Sequence, residues 1–300
     1  MTVITGIALA LLSAVFFGIY MVPRKLVQTS NHVFLSSVVC GMVASVALYQ
    51  LFIPNEPWPT SEQLGWTVIA GLIWAASTFC FSSSVRHLGL ASATTIKNTT
   101  AVWGTLAGLV VFAEYTDTHW IPAVAGSFCV VISAWLIDRI SRDPANGRDS
   151  RMDATGIALA VAASLGYAIY AIPVRMVVGE GLSYVRVLLG MSLGATVGVG
   201  LAMCLSKEGC GDMVRQGRRQ FLLSALGGVL WTLAMLCLVA AFGLVGLAVS
   251  WPLSNINTVI ATTIGAVWFH EISLRRRGGL FTAALAVAVL GVALLAWSRM

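Results

Sequence analysis

The segment LASATTIKNTTAVWGTLAGLVVFAE, Leu90 to Glu114, decides how the rest of the chain is read. It is apolar enough to cross a bilayer, yet it carries Lys97 inside it. A cation near the centre of a spanning helix costs at least about 2.5 to 3.5 kcal/mol on insertion scales, so such a residue normally faces a water-filled cavity and marks a substrate or ion path. On a helix, Thr94, Lys97, Asn98 and Ala101 fall at i, i+3, i+4 and i+7 and share one face. Trp251, Ser254, Asn255 and Thr258 have the same spacing, each 157 positions after its counterpart. Two related helices are therefore expected to present polar faces towards a shared space.

The rest of the chain fits a membrane setting. With 58% hydrophobic and 10% charged residues and a mean hydropathy of +0.88, it is too apolar for an ordinary soluble domain. Apolar runs lie at about 3–22, 33–53, 63–85, 90–112, 120–138, 155–174, 184–205, 221–243, 245–269 and 279–298. Each is long enough for a hydrocarbon core of about 30 Å. The expected fold is all-α, a polytopic membrane protein of ten transmembrane helices. The first run lacks a basic leading region and recurs in mid-chain, so it reads as a retained helix rather than a signal peptide. The formal charge of +6 comes mostly from residues in short breaks between runs, which speaks for membrane orientation signals and against nucleic acid as a partner. The six cysteines show no CxxC spacing, so no metal site or disulfide framework is expected.

The chain is duplicated. TGIALA at Thr5 to Ala10 recurs at Thr155 to Ala160, and at the same offset of 150 Tyr20 matches Tyr170, Pro23 matches Pro173 and Lys25 matches Arg175. At an offset of 157, Trp74 matches Trp231, Gly89 matches Gly246, Asn98 matches Asn255, Gly108 matches Gly265, Phe112 matches Phe269 and Glu114 matches Glu271. The units are residues 1–138, a Pro- and Gly-containing charged linker at 139–153, and residues 154–300. Five helices is an odd number, so the second copy enters the membrane from the opposite side, giving the inverted repeat of many alternating-access carriers. Arg24, Lys25, Arg86, the linker arginines, Lys207, Arg215, Arg218, Arg219 and Arg275 to Arg277 fall in one set of alternating loops, whereas Arg175, Arg186 and Arg299 fall in the other. By the positive-inside rule the linker is cytoplasmic and both termini are outside.

The candidate substrate-binding residues are Thr94, Lys97, Asn98, Trp251, Asn255 and Asn257, with the duplicated aromatics Tyr20, Tyr170, Trp74 and Trp231. Bland readings stand beside the sharp ones. Lys97 sits about 10 Å into its run if the helix starts at Leu90, within partial reach of the interface for a snorkelling stem. Asn98 and Asn255 have the chemistry of interhelical packing bonds, and the Gly190, Gly194, Gly198 row that of a packing face. Pro252 is expected to kink its helix. Glu114 and Glu271 end helices, where the macrodipole disfavours an acid, so each needs a partner such as a helix N-terminus or an arginine. All 12 acids lie in loops or at helix ends, which argues against proton-coupled cation export through a mid-membrane carboxylate. An intramembrane carboxylate pair, an HExxH motif and a GxSxG elbow are all missing, so no catalytic residues and no enzyme activity are expected.

The stretches HLGLASATTIKNTTAVWGTLAGLVVFAE and GLVGLAVSWPLSNINTVIATTIGAVWFHE resemble the drug/metabolite transporter superfamily, in the manner of EamA-type ten-helix carriers. Thr95-Ile96-Lys97 is similar to the helix-4 lysine segment of the nucleotide-sugar and triose-phosphate translocator branch. FFGIYMVPRK and WPLSNINTVIATTIGAVWFHE look more like the glucose/ribose porter branch, so the two likenesses point to different substrates. The resemblance implies a central cavity lined by helices 1, 3, 4, 6, 8 and 9, which collects Tyr20, Trp74, Lys97, Tyr170, Trp231 and Asn255. It also implies cytoplasmic termini, opposite to the charge bias. The expectation is a secondary carrier of a small anionic or hydroxyl-rich metabolite, in the inner membrane of a bacterium, as a monomer or homodimer without cofactor or metal. The alternatives are a neutral sugar or polyol porter, or a metabolite or amino-acid exporter.

Overall fold

Long apolar runs have only one way to satisfy their backbone in a bilayer without a sheet, and the chain takes it. The computed structural model describes residues 2–52, 55–88, 90–141, 153–205, 212–213, 215–267 and 274–300, which are helical with no strand among them. In chain order the helices are α1 (Thr2–Ile19), α2 (Val22–Leu26), α3 (Asn31–Gln50), α4 (Ser61–Leu88), α5 (Leu90–Lys97), α6 (Thr100–Val111), α7 (Trp120–Ser141), α8 (Ala154–Gly179), α9 (Tyr184–Leu205), α10 (Arg218–Val245), α11 (Leu247–Ser254), α12 (Asn257–Val267) and α13 (Leu274–Trp297). Eight stretches among the described residues are long and apolar enough to cross a membrane in one piece, α1 and α2 together forming the first. The outer surface is apolar, with Val110, Ile121, Leu201 and Val289 all more than half exposed. Residues 142–152 of the linker, Gly89, Lys207, Cys210, Phe269, His270 and Glu271 lie outside the described residues.

The runs at 90–112 and 245–269, expected as single helices, are each two. The interruptions fall at Asn98-Thr99 and Asn255-Ile256, and they share one hydrogen-bond pattern. Thr99 N bonds Ile96 O as Ile256 N bonds Leu253 O, and Val102 N bonds Thr99 O as Val259 N bonds Ile256 O. Both are i to i−3 bonds, which tighten the backbone into a 3₁₀-like turn. Polar side chains beside each turn donate to carbonyls of the preceding turn. Thr99 Oγ1 donates to Ile96 O at 2.8 Å, and Asn255 Nδ2 donates to Trp251 O at 2.9 Å. The break in the second segment thus falls three residues after Pro252, the residue expected to kink it, and the first segment breaks without a proline.

Packing follows the duplication. Helix α4 packs on α8 as α10 packs on α1, and α4 packs on α9 as α10 packs on α3, while α3 with α9 and α7 with α13 pair across the two halves. Glycines set the closest crossings. A Cβ on Gly41 or Gly228 would overlap the facing backbone at Ala225 or Val38, and one on Gly71 or Gly194 would overlap that at Met191 or Val68. The glycine row of α9 is therefore a packing face, with Gly190 against Thr67 and Gly198 against Ala75. One pairing is asymmetric: α6 packs on α11, but among the described residues α5 and α12 make no comparable contact.

Candidate functional site

Where the two interrupted segments meet, polar groups face each other at depth. Asn98 is wholly buried and its Nδ2 donates to Thr258 Oγ1 at 2.6 Å, while Thr258 Oγ1 donates to Asn257 Oδ1 at 3.2 Å. Asn98 Oδ1 is buried with no hydrogen-bond partner among the described residues. A buried amide oxygen left unpaired costs about 1 to 3 kcal/mol. Lys97, at the end of α5, holds its Nζ 5.9 Å from the centre of the Tyr167 ring and has no hydrogen-bond or ion-pair partner among the described residues. The ring face gives the ammonium a weak cation–π contact and leaves its donors unused. Thr94 lies one turn before Asn98, and its carbonyl accepts from Asn98 N at 2.9 Å.

The second segment has its polar groups satisfied, partly against the first. Trp251 is 3% exposed, and its Nε1 donates to Thr100 O at 3.1 Å and Thr100 Oγ1 at 3.3 Å, so its ring closes over Gly104, where a Cβ would overlap it. Asn255 and Ser254 both donate to Trp251 O, at 2.9 and 2.8 Å. The two polar faces expected to look into a shared space thus contact one another directly.

The aromatic residues form two chains of ring contacts. Trp74 and Trp231 lie 4.9 Å apart, with Phe17 linking Trp231 to Tyr20. Tyr170 sits edge-on to Trp251 at 5.4 Å and to Tyr167 at 6.2 Å, and Tyr167 carries the contact to Lys97 while its hydroxyl donates to Thr78 Oγ1 at 3.1 Å. Trp74, Trp231 and Tyr170 are buried in the core here, and Tyr20 is partly exposed. Tyr167, Phe17, Thr100 and Thr258 join the site beyond the residues chosen from sequence. Tyr167 lies 150 positions after Phe17, a signal in the duplication that was available.

One end of this assembly is clamped. The buried carboxylate of Glu114 accepts from Leu247 N at 2.9 Å and Ala248 N at 2.8 Å, and from Arg175 Nε at 3.2 Å. It therefore caps the N-terminus of α11, where the helix dipole and two free N–H groups favour an anion. Gly246 precedes that helix with φ +77°, and a Cβ there would strike the carboxylate. Gly108, beside it, would overlap the Ala248 backbone if it had a Cβ. The partner that Glu114 needs as a helix-ending acid is thus the N-terminus of the other interrupted segment together with an arginine.

Among the described residues no group of three or more His, Cys, Asp or Glu side chains comes together, and the cysteines there are free thiols. Against known proteins, the chain is 27% identical over 296 residues to a Bacillus anthracis protein whose name assigns it provisionally to sugar uptake, covering 97% of this chain and 98% of the relative. It is 24% identical over 274 residues to GlcU of Bacillus cereus, named on the same provisional footing for glucose uptake, with 90% and 91% covered. A solved crystal structure superposes with a TM-score of 0.75 over 98% of this chain and 97% of that one, at 16% identity, which bears on the fold alone. The family described as sugar transport protein matches at residues 2–140 and 140–298, so the chain belongs to the sugar transport protein family.

Proposed function

We propose that this protein is a secondary carrier that moves a sugar or a related hydroxyl-rich or anionic metabolite across a bacterial inner membrane by alternating access. In this reading each interrupted segment counts as one span, giving ten spans in two inverted five-helix repeats, residues 1–138 and 154–300, with the linker on the cytoplasmic side. The names of the relatives, sugar uptake and glucose uptake, support a carbohydrate over an amino acid. One observation carries the reading: at the first interruption a donor-only ammonium on Lys97 and an acceptor-only oxygen on Asn98 both lack partners among the described residues. A polyol supplies both complements, with hydroxyl oxygens for Lys97 and a hydroxyl proton for Asn98 Oδ1. Tyr167 offers an apolar face, and Thr94, Asn257 and Asn255 lie on the same two segments. The asymmetric packing, with α6 on α11 under the Glu114 clamp but no comparable contact of α5 with α12 among the described residues, is what one state of a two-state carrier open towards the linker end would have.

The test is counterflow in liposomes. Vesicles loaded with unlabelled hexose should transiently concentrate labelled hexose above equilibrium, which a channel never does. Equal distribution without overshoot, across neutral and acidic sugars alike, would remove the carrier reading.

A further inference from the structure

At the linker end lies a cavity of about 260 Å³, formed by the junction of α2 with α3 and by the last turns of α4. Its lining includes Arg24, Arg86 and His32, hydroxyls of Ser82 and Ser83, and the Phe79 ring, with no carboxylate among the described residues. Hydrogen bonds hold the walls in place. Arg24 Nη2 donates to Asn31 Oδ1 at 3.2 Å, and Asn31 Nδ2 donates to Ser82 Oγ at 2.7 Å, tying the start of α3 to α4. Arg86 is exposed, donates to Ser83 Oγ at 3.3 Å, and has no ion pair among the described residues, nor does Arg24. A guanidinium has five N–H donors; Arg24 spends one more on Val27 O at 3.3 Å and Arg86 one on Ser83, so each keeps further donors for a ligand. The N-terminus of α3, capped by Ser30, opens on the same space and adds its partial positive charge. His32 stacks on Phe79, ring centres 5.4 Å apart, giving an apolar platform beside the charged groups.

We infer that this cavity is a binding site for a phosphate ester of a polyol, separate from the site at Lys97. The phosphate takes the Arg24 and Arg86 forks with the serine hydroxyls, in the planar multidentate geometry that arginine offers phosphates. The polyol lies against the Phe79 and His32 rings. Ser82 follows Thr78, the partner of Tyr167, by one helical turn. Two sources share this chemistry, a soluble sugar phosphate on the linker side and a polyol phospholipid headgroup such as that of phosphatidylglycerol. The choice of a sugar for the soluble source rests on the carrier reading above; the site itself does not.

Binding of glucose 6-phosphate to the full chain is measured by calorimetry in nanodiscs of zwitterionic lipid, with unphosphorylated glucose and inorganic phosphate as controls. Arg86→Gln should weaken glucose 6-phosphate at least about tenfold, the loss of one charge-assisted contact, and leave hexose counterflow unchanged. Nanodiscs containing phosphatidylglycerol form the second arm. If the soluble ester binds in neutral discs and Arg86→Gln weakens it, the site stands with the soluble source. If only phosphatidylglycerol associates, and Arg86→Gln releases it, the site stands with the lipid source. Binding of neither ester, or binding indifferent to Arg86→Gln, overturns the site. Hexose counterflow on the same preparation reports separately on the carrier reading, so Arg86-dependent binding without counterflow sinks that reading alone.

Discussion

The two interrupted segments share a backbone and differ in what their side chains leave unsatisfied. At Asn255-Ile256 the side chains of Asn255 and Ser254 both donate to the one carbonyl of Trp251, and the indole of Trp251 is spent on Thr100. At Asn98-Thr99 the same turn leaves Lys97 without a counter-ion and Asn98 Oδ1 without a donor among the described residues. Of two breaks with one backbone pattern, one is thus a structural joint and the other a place with unmet chemistry. That is where a ligand gains most, because each bond it makes removes an existing penalty instead of replacing a bond to water.

The contrast can be broken by mutation, and the largest effect should come from the anchoring of the satisfied segment. Glu114→Ala removes the carboxylate from Arg175 and from the α11 N-terminus, and should destabilise the protein by about 3 to 5 kcal/mol, as breaking a buried pair from one side does. Thermal unfolding in detergent would read this, and an unchanged melting temperature would show that the clamp holds nothing. Lys97→Met comes next, lowering hexose uptake about 10- to 100-fold, the worth of one charge-assisted bond, with folded yield unharmed because a costly intramembrane cation is gone. Lys97→Arg should recover only part of that, since the guanidinium is bulkier and differently shaped. Full uptake in both variants would make Lys97 a snorkelling residue, and joint loss of uptake and stability would make it a structural one.

Asn98→Ala should cut uptake about 2- to 10-fold while costing little stability, because the unpaired oxygen leaves together with its bond to Thr258. Asn255→Ala should do the reverse, costing about 1 kcal/mol of stability with uptake near normal. If the two asparagines exchange these phenotypes, the assignment of joint and site is inverted.

Much of this was legible beforehand because it rests on rare residues and simple hydropathy. The apolar runs placed the helices, the offsets of 150 and 157 paired them, and the macrodipole argument correctly demanded a partner for Glu114. The break at Asn98-Thr99 was not legible, since no glycine or proline marks it and only the folded geometry shows the turn. Nor was the burial of Trp251 legible, because it depends on Gly104 lying opposite. Thr258 was visible on the polar face, but its role as the bridge from Asn98 to Asn257 spans 160 positions and leaves no local pattern.

The glycine crossings bear on which parts can move as bodies. Gly41 and Gly228 lock α3 to α10, and Gly71 and Gly194 lock α4 to α9, each with backbones touching. Each crossing joins one helix from the first half to one from the second. In the alternating-access reading proposed above, α3 with α10 and α4 with α9 are expected to move as two blades, each a hybrid of the first and second halves of the chain. A gene cut at the linker would yield two fragments that each lack half of every blade, and neither would hold a fold until it met the other.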